Sequence, residues 1–192
     1  MRRIIEQIIA GIIIFVLSPL ILFILVLVRI ESNGNPIFVQ KRVGKKGILF
    51  DIYKIRTMYI AQEVSHISDN VEARKYENYR VTKIGRFLRK YHIDETLQFL
   101  NILKGDMSFV GPRPISCRDL KNRTYYTPRD QDTLPGLTGL YQIMSHDEMS
   151  DDLRDEFDRF YFANKDWVFD CLLILWTPIA IILKIIPKYP VK

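Results

Sequence analysis

Cysteine is scarce in this chain: among 192 residues only Cys117 and Cys171 occur, the second inside an apolar run. Two such cysteines supply neither a disulfide framework nor a metal-ligand spacing, and they fit a reducing compartment. Histidine is scarce too, and His66 has no partner at metal-binding distance along the sequence. Acidic residues are outnumbered by basic ones, 22 against 28, which leaves a net charge of +6. That balance implies an anionic partner: nucleic acid, an anionic bilayer surface or a phosphorylated substrate. No nucleic-acid recognition motif accompanies the charge, and the basic residues stand beside apolar stretches, which argues against a membrane-tethered nucleic-acid binder. With 48% hydrophobic and 26% charged residues, the composition is that of a folded chain, one domain plus appendages.

What the chain does have is an uncharged apolar run from Ile8 to Val28. At about 1.5 Å per residue it is just long enough for a hydrocarbon core of about 30 Å. The run exceeds a signal-peptide core and no small-residue cleavage site follows before Arg29, so it reads as a retained membrane segment. Ser18-Pro19 interrupts it, and a helical proline removes a hydrogen bond and bends the helix. Arg2 and Arg3 precede the run while Arg29, Lys41, Arg42, Lys45 and Lys46 follow, pulling both ends toward the cytoplasm. A segment bent at Ser18 and Pro19 would dip in and return to the same face; a straight span with a tolerated proline is the alternative.

From Asn33 the composition changes. Asn33 to Pro36 form a turn, and Ile37 to Val43 and Ile48 to Met58 read as two strands around Gly44 to Gly47. Lys41, Arg42, Lys45, Lys46, Lys54 and Arg56 make this hairpin cationic, either as a solvated rim or as a surface for lipid headgroups or phosphates. Tyr59 to Tyr79 are polar and aperiodic, a loop. Thr82 can cap a short helix carrying Ile84, Phe87, Leu88 and Tyr91 against Lys83, Arg86, Arg89 and Lys90, the pattern of an interfacial amphipathic helix.

The next helix, about Asp94 to Lys104, ends at Gly105 in the C′ position. At 100° per residue Asp94 shares a stripe with Gln98 and Asn101, whereas Glu95 lies beside Phe99 and Ile102. One acid would then be solvated or ligand-facing, and the other partly desolvated with a raised pKa. Helix capping and the helix dipole explain two acids at this point without any chemistry. They do not explain the company of Arg86, Arg89, Lys90 and Arg113, the last fixed between Pro112 and Pro114 and suited to bidentate phosphate binding.

Further on, Cys117 to Asn122 read as the start of a short helix, and Leu134 to Ile143 as a turn followed by a short extended run. Asp147 to Arg159 form an acidic, solvated helix face. Trp167 to Ile186 are apolar but contain Asp170, Pro178 and Lys184, so a helix lying in the interface suits them better than a second span.

Taken together these segments resemble the bacterial sugar transferase family, the small monotopic phosphoglycosyl transferases. The resemblance rests on Ser18-Pro19-Leu20, the runs Ile37 to Gly44 and Phe50 to Met58, the block Ile93 to Pro114, and Pro135 to Gln142. It implies an α/β, mostly helical membrane-associated domain with a re-entrant membrane helix (residues 1–31). A cytosolic catalytic domain would follow (residues 32–192), with a short β-hairpin, amphipathic interfacial helices and a C-terminal apolar helix at about 167–186. The implied activity is transfer of a phosphosugar from a UDP-sugar to polyprenol (undecaprenyl) phosphate at the cytoplasmic face of a bacterial inner membrane, with release of UMP. Asp94 would be the nucleophile and Glu95 a metal-binding or proton-transfer group. Mg²⁺ would be held by Asp94 or Glu95, and Arg89, Pro112, Arg113 and Pro114 would face phosphate or nucleotide. A homodimer stays open. Two departures stand out: Asp94-Glu95-Thr96-Leu97-Gln98 lacks a proline of the first helical turn, and Ser145-His146 replaces a Gly-Arg pair. His146 is then a weaker phosphate ligand, with Arg129 and Arg154 as substitutes, or marks a different sugar pocket. A non-catalytic basic membrane adaptor of polysaccharide assembly is the rival reading.

Overall fold

The computed structural model describes residues 2–60, 80–116, 132–144 and 151–185. Its longest element is α1 (Arg2–Glu31), about 45 Å at 1.5 Å per residue, and it is apolar and long enough to cross a membrane. One stripe of α1, Ala10, Ile21, Ile24 and Val28, is buried against the rest of the protein, while Ile12, Phe15, Val16, Leu20 and Phe23 are exposed. The helix continues as one element through Pro19. Proline has no N–H for the carbonyl of Phe15, and Ser18 Oγ donates to that carbonyl instead, at 2.7 Å.

Both ends of α1 are bonded to the domain it lies against. Near its start Gln7 donates to the Leu103 carbonyl at 3.0 Å, and Arg2 pairs with Asp170. At its end Glu31 accepts from the backbone N–H of Lys83, at 2.7 Å, and of Ile84, at 3.1 Å.

The expected hairpin is present as β1 (Ile37–Val43) and β2 (Leu49–Ile55), antiparallel around a 3₁₀ turn at Lys45–Gly47. The second strand stops at Ile55, before the expected Met58, because Arg56 turns aside to hold Ser32 and the Asn33 carbonyl, and Met58 forms only an isolated bridge with Val81. A short strand, β4 (Ile115–Ser116), pairs with β1, so the sheet order is β2-β1-β4.

Thr82 caps α2 (Lys83–Lys90) as expected, accepting from Gly85 N at 2.8 Å. The helix expected from Asp94 to Lys104 is divided: Ile93–Glu95 form a 3₁₀ turn and α3 starts only at Gln98 (Gln98–Lys104). His92, at φ 55°, adopts the left-handed conformation that reverses the chain between α2 and this turn. Gly105, at φ 84°, ends α3 as expected.

Asn101 joins α3 to the open edge of β2. Its side chain accepts from Tyr53 N at 3.2 Å and donates to the Asp51 carbonyl at 2.6 Å, taking the place of a neighbouring strand. Around this joint one apolar cluster unites Ile21, Ile24 and Val28 with Ile55, Leu88 and Leu97, and a second unites Ala10 with Phe50, Ile52, Ile102 and Met107. The long apolar helix α1 therefore shares the core of the domain.

The parallel pair β3 (Ser108–Val110) and β5 (Gly136–Thr138) flanks the following helices α4 (Leu140–Met144), α5 (Asp151–Asn164) and α6 (Trp167–Ile185). The extended run expected up to Ile143 stops at Thr138, and Leu140–Met144 are helical. The acidic face expected on α5 is only partly solvated: Glu156 is exposed, but Asp158 is buried. On α6 Trp167, Leu175, Trp176, Ile182 and Leu183 are exposed, and Asp170 is buried between Arg2 and Tyr161. The expected helix at Cys117–Asn122, His66, and nearly all of the loop Tyr59–Tyr79 lie outside the described residues.

Candidate active site

Three segments converge on an open cleft whose lining includes Arg42, Lys54, Glu95, Gln98, Arg113 and Gln142. The first is the hairpin. Arg42 pairs in register with Phe50 and Gln40 with Ile52, so Arg42, Ile52 and Lys54 share the face that meets the acid pair. Arg42 donates to Gln40 Oε1 at 2.8 Å and to the Pro114 carbonyl at 3.5 Å.

The second is the 3₁₀ turn of Asp94 and Glu95, whose environments are the reverse of those the helical stripe suggests. Asp94 is the more enclosed, 9% exposed. Burial and the adjacent Glu95 push its carboxyl above the ordinary range, against the pull of Lys54, His92 and Arg89. Glu95 is also driven upward by burial, but Lys54 and Arg113 outweigh that and hold it below its usual value. Lys54 Nζ lies 2.6 Å from Glu95 Oε1, both side chains being 20% exposed. Asp94 does not cap α3, so the capping explanation for the pair fails for this residue.

The third segment is the turn Gly111 to Pro114. It is clasped to residues 134–139: Ser108 N donates to the Pro135 carbonyl at 2.9 Å, Gly111 N to Thr138 at 3.0 Å and Gly136 N to Pro112 at 2.9 Å. A Cβ on Gly136 would stand 2.1 Å from Gly111 N, and one on Gly111 2.4 Å from the Leu134 carbonyl oxygen. Only paired glycines allow this approach. Pro112 and Pro114 are buried and Arg113 is exposed between them, so the prolines anchor the turn and the arginine faces the cleft.

Arg89 reaches the acid pair from α2. Its Nε donates to Thr57 Oγ1 at 2.8 Å, and its charge acts on Asp94, whereas that of Arg113 acts on Glu95. Of the predicted site residues, Glu95, Arg113 and Pro114 line the cleft itself, whereas Asp94 lies enclosed next to Glu95, within the influence of Arg89, and Asp94, Arg89 and Pro112 are not part of the lining. Ser18 and Pro19 lie away from this cleft, in the middle of α1. His146 and Arg129 lie outside the described residues. Arg154 stacks over the Tyr141 ring at 5.0 Å and meets the Arg113 carbonyl at 3.5 Å.

From the sequence alone Lys54 and Arg42 fit a solvated rim and a phosphate contact equally well, and nothing singles out Gln142. Alternation was the missed signal, because Phe50, Ile52 and Lys54 lie on one strand face and the first two are buried. Asn101 was expected on a ligand-facing stripe, but its amide is occupied by β2.

Among the described residues no three His, Cys, Asp or Glu side chains converge as a ready-made metal cage. Two adjacent carboxylates are nevertheless a donor set that suits Mg²⁺, which commonly takes one or two carboxylates together with phosphate and water.

Residues 1–184 match the family model described as bacterial sugar transferase. The undecaprenyl-phosphate galactose phosphotransferase of Salmonella typhimurium is 34% identical over 96% of this chain and 39% of its own length. The exopolysaccharide production protein ExoY of Rhizobium meliloti is 33% identical over 95% of this chain and 85% of its own. The UDP-glucose:undecaprenyl-phosphate glucose-1-phosphate transferase of Caulobacter vibrioides is 36% identical, over 74% and 53% respectively. The chain spans about two fifths of the length of several curated relatives it matches, the Salmonella protein among them.

Proposed function

The chain belongs to the bacterial sugar transferase family, and on that premise we propose that it transfers a phosphosugar from a UDP-sugar to undecaprenyl phosphate, initiating assembly of a bacterial glycoconjugate. The observation that carries this reading is the split between two neighbouring carboxylates: Glu95 is tied to Lys54, while Asp94 is enclosed beside Arg89 and has no such tie among the described residues.

Asp94 in its carboxylate form attacks the β-phosphorus of the UDP-sugar. The bond between that phosphorus and the oxygen bridging to the α-phosphate breaks, and UMP leaves with the electron pair. The product is an aspartyl phosphosugar. An oxygen of undecaprenyl phosphate then attacks the same phosphorus and expels the Asp94 carboxylate, so one difficult displacement becomes two easier ones. Glu95, charged because of Lys54 and Arg113, orients rather than attacks. Arg89 and Arg113 stabilise charge on the transferring phosphoryl oxygens from the two sides of the pair. Asp94 and Glu95 are the residues that would hold Mg²⁺, which when bound supplies neutralisation of the diphosphate.

The attachment of both ends of α1 to one domain supports a membrane segment that enters and leaves on the same side. The cations flanking the apolar run favour the cytoplasmic side for that domain.

The test is incubation of purified protein with Mg²⁺, undecaprenyl phosphate and a panel of UDP-sugars, following UMP release, with Asp94→Asn as control. Release that depends on Asp94 is expected. Release undiminished in Asp94→Asn would remove the nucleophile assignment, and silence across the whole panel would favour the adaptor.

A further inference from the structure

Thr57 follows β2 where the chain leaves the hairpin, and it is 7% exposed. Its carbonyl accepts from Thr82 N at 3.1 Å, which seats the first turn of α2 on this residue. Gly85 makes the approach feasible, since a Cβ there would stand 2.2 Å from the same carbonyl oxygen. The Thr57 side chain then engages the last turn of that helix, accepting from Arg89 Nε at 2.8 Å. One residue therefore fixes both the backbone of α2 and the direction of its arginine.

A guanidinium carries five N–H donors in a planar fork. With Nε–H given to Thr57, four remain on the two terminal nitrogens, and among the described residues the Arg89 side chain makes no other hydrogen bond. Arg89 is exposed, so a ligand can reach that pair. Two parallel N–H groups on a fixed plane match two oxygens of a phosphate. An untethered arginine would lose this alignment through rotation about its long side chain.

We propose that Thr57 is a positioning residue for phosphate recognition: by occupying Nε of Arg89 it aims the two terminal nitrogens together at a phosphate beside Asp94. The inference rests on the reading of Arg89 as phosphate-facing. The phosphate belongs either to the UDP-sugar or to undecaprenyl phosphate, and the kinetics separate these sources.

The test compares Thr57→Val, Thr57→Ser and Arg89→Lys, and Thr57→Val in the Arg89→Lys background, in full-length protein with both substrates varied. Valine keeps the backbone carbonyl and most of the volume but removes the acceptor, whereas serine keeps the hydroxyl. Thr57→Val is expected to lower kcat/KM about tenfold, the scale of one lost hydrogen bond, with its melting temperature near that of the parent. Thr57→Ser should recover most of the activity, and valine should add little once Arg89 is lysine. A larger effect on the UDP-sugar KM assigns the phosphate to the donor, and a larger effect on the undecaprenyl phosphate KM assigns it to the acceptor. Thr57→Val with parental kinetics, while Arg89→Lys is impaired, overturns the role of Thr57 alone. Arg89→Lys with parental kinetics overturns the reading of Arg89 itself. Equal losses of activity and melting temperature in the valine and serine variants reduce Thr57 to a packing residue.

Discussion

Lys54 Nζ lies 2.6 Å from Glu95 Oε1, 41 residues away along the chain, and this contact gives two adjacent carboxylates opposite electrostatic characters. The lysine holds Glu95 charged, and the charged Glu95 in turn raises its neighbour Asp94.

Breaking the pair from one side should cost stability. Lys54→Met leaves Glu95 enclosed without its main partner, and a loss of about 1–3 kcal/mol is expected in chemical denaturation. Adding Glu95→Gln should recover part of it. Because the folded pKa of Glu95 is depressed, its contribution is present above the unfolded value of about 4.3 and is lost as pH falls through the lower folded value. Parental protein should therefore lose this increment on acidification, and the double variant should not.

Asp94 has the opposite sign. Its folded pKa is raised, so its contribution to stability is present below the unfolded value of about 3.9 and lost as pH rises through the folded one. Asp94→Asn should accordingly melt at or above the parental temperature at pH 7 while losing turnover. The acid limb of kcat against pH should fall at a higher pH than an unperturbed aspartate would give.

The glycine clasp should be intolerant of a methyl group. Gly136→Ala is expected to cost about 1–3 kcal/mol through overpacking against Gly111. The accompanying shift of the Arg113 turn should lower kcat on the order of a hundredfold. Thermal scans and turnover on the same sample separate the two effects.

In α1, Ser18→Ala removes the donor that serves the Phe15 carbonyl, and a loss of about 1–3 kcal/mol is expected in bilayer nanodiscs. Pro19→Ala restores a backbone N–H to that carbonyl. In the Pro19→Ala background Ser18→Ala should cost little, and an equal cost in both backgrounds would contradict the compensation.

Much of this architecture is legible in the sequence because it is governed by local rules. Gly44 to Gly47 delimit the hairpin, Thr82 caps its helix, and Gly105 ends the next. The acid pair shows where local rules fail. A helical wheel gives Glu95 the apolar neighbours, but the segment is a 3₁₀ turn, and both cations that control Glu95 arrive from elsewhere in the chain. The helix at Leu140–Met144 was hidden similarly, because a Gly-rich turn followed by apolar residues reads equally well as a strand. Asn101 looks like a ligand-facing polar residue until the open edge of β2 is known to lie against it. Pairing of Gly111 with Gly136 explains why a GPRP turn and a PGLTG turn occur in one chain, a relation that spacing alone does not reveal.

The central claim is that Asp94 carries the phosphosugar between two substrates. Protein incubated with Mg²⁺ and the UDP-sugar that supports turnover, without undecaprenyl phosphate, is quenched and digested, and peptides spanning Asp94 are weighed by mass spectrometry. The account predicts a mass increase equal to one phosphosugar on Asp94, discharged when undecaprenyl phosphate is added before quenching. Full turnover with an unmodified Asp94 peptide under these conditions, or the added mass on another residue, would contradict it.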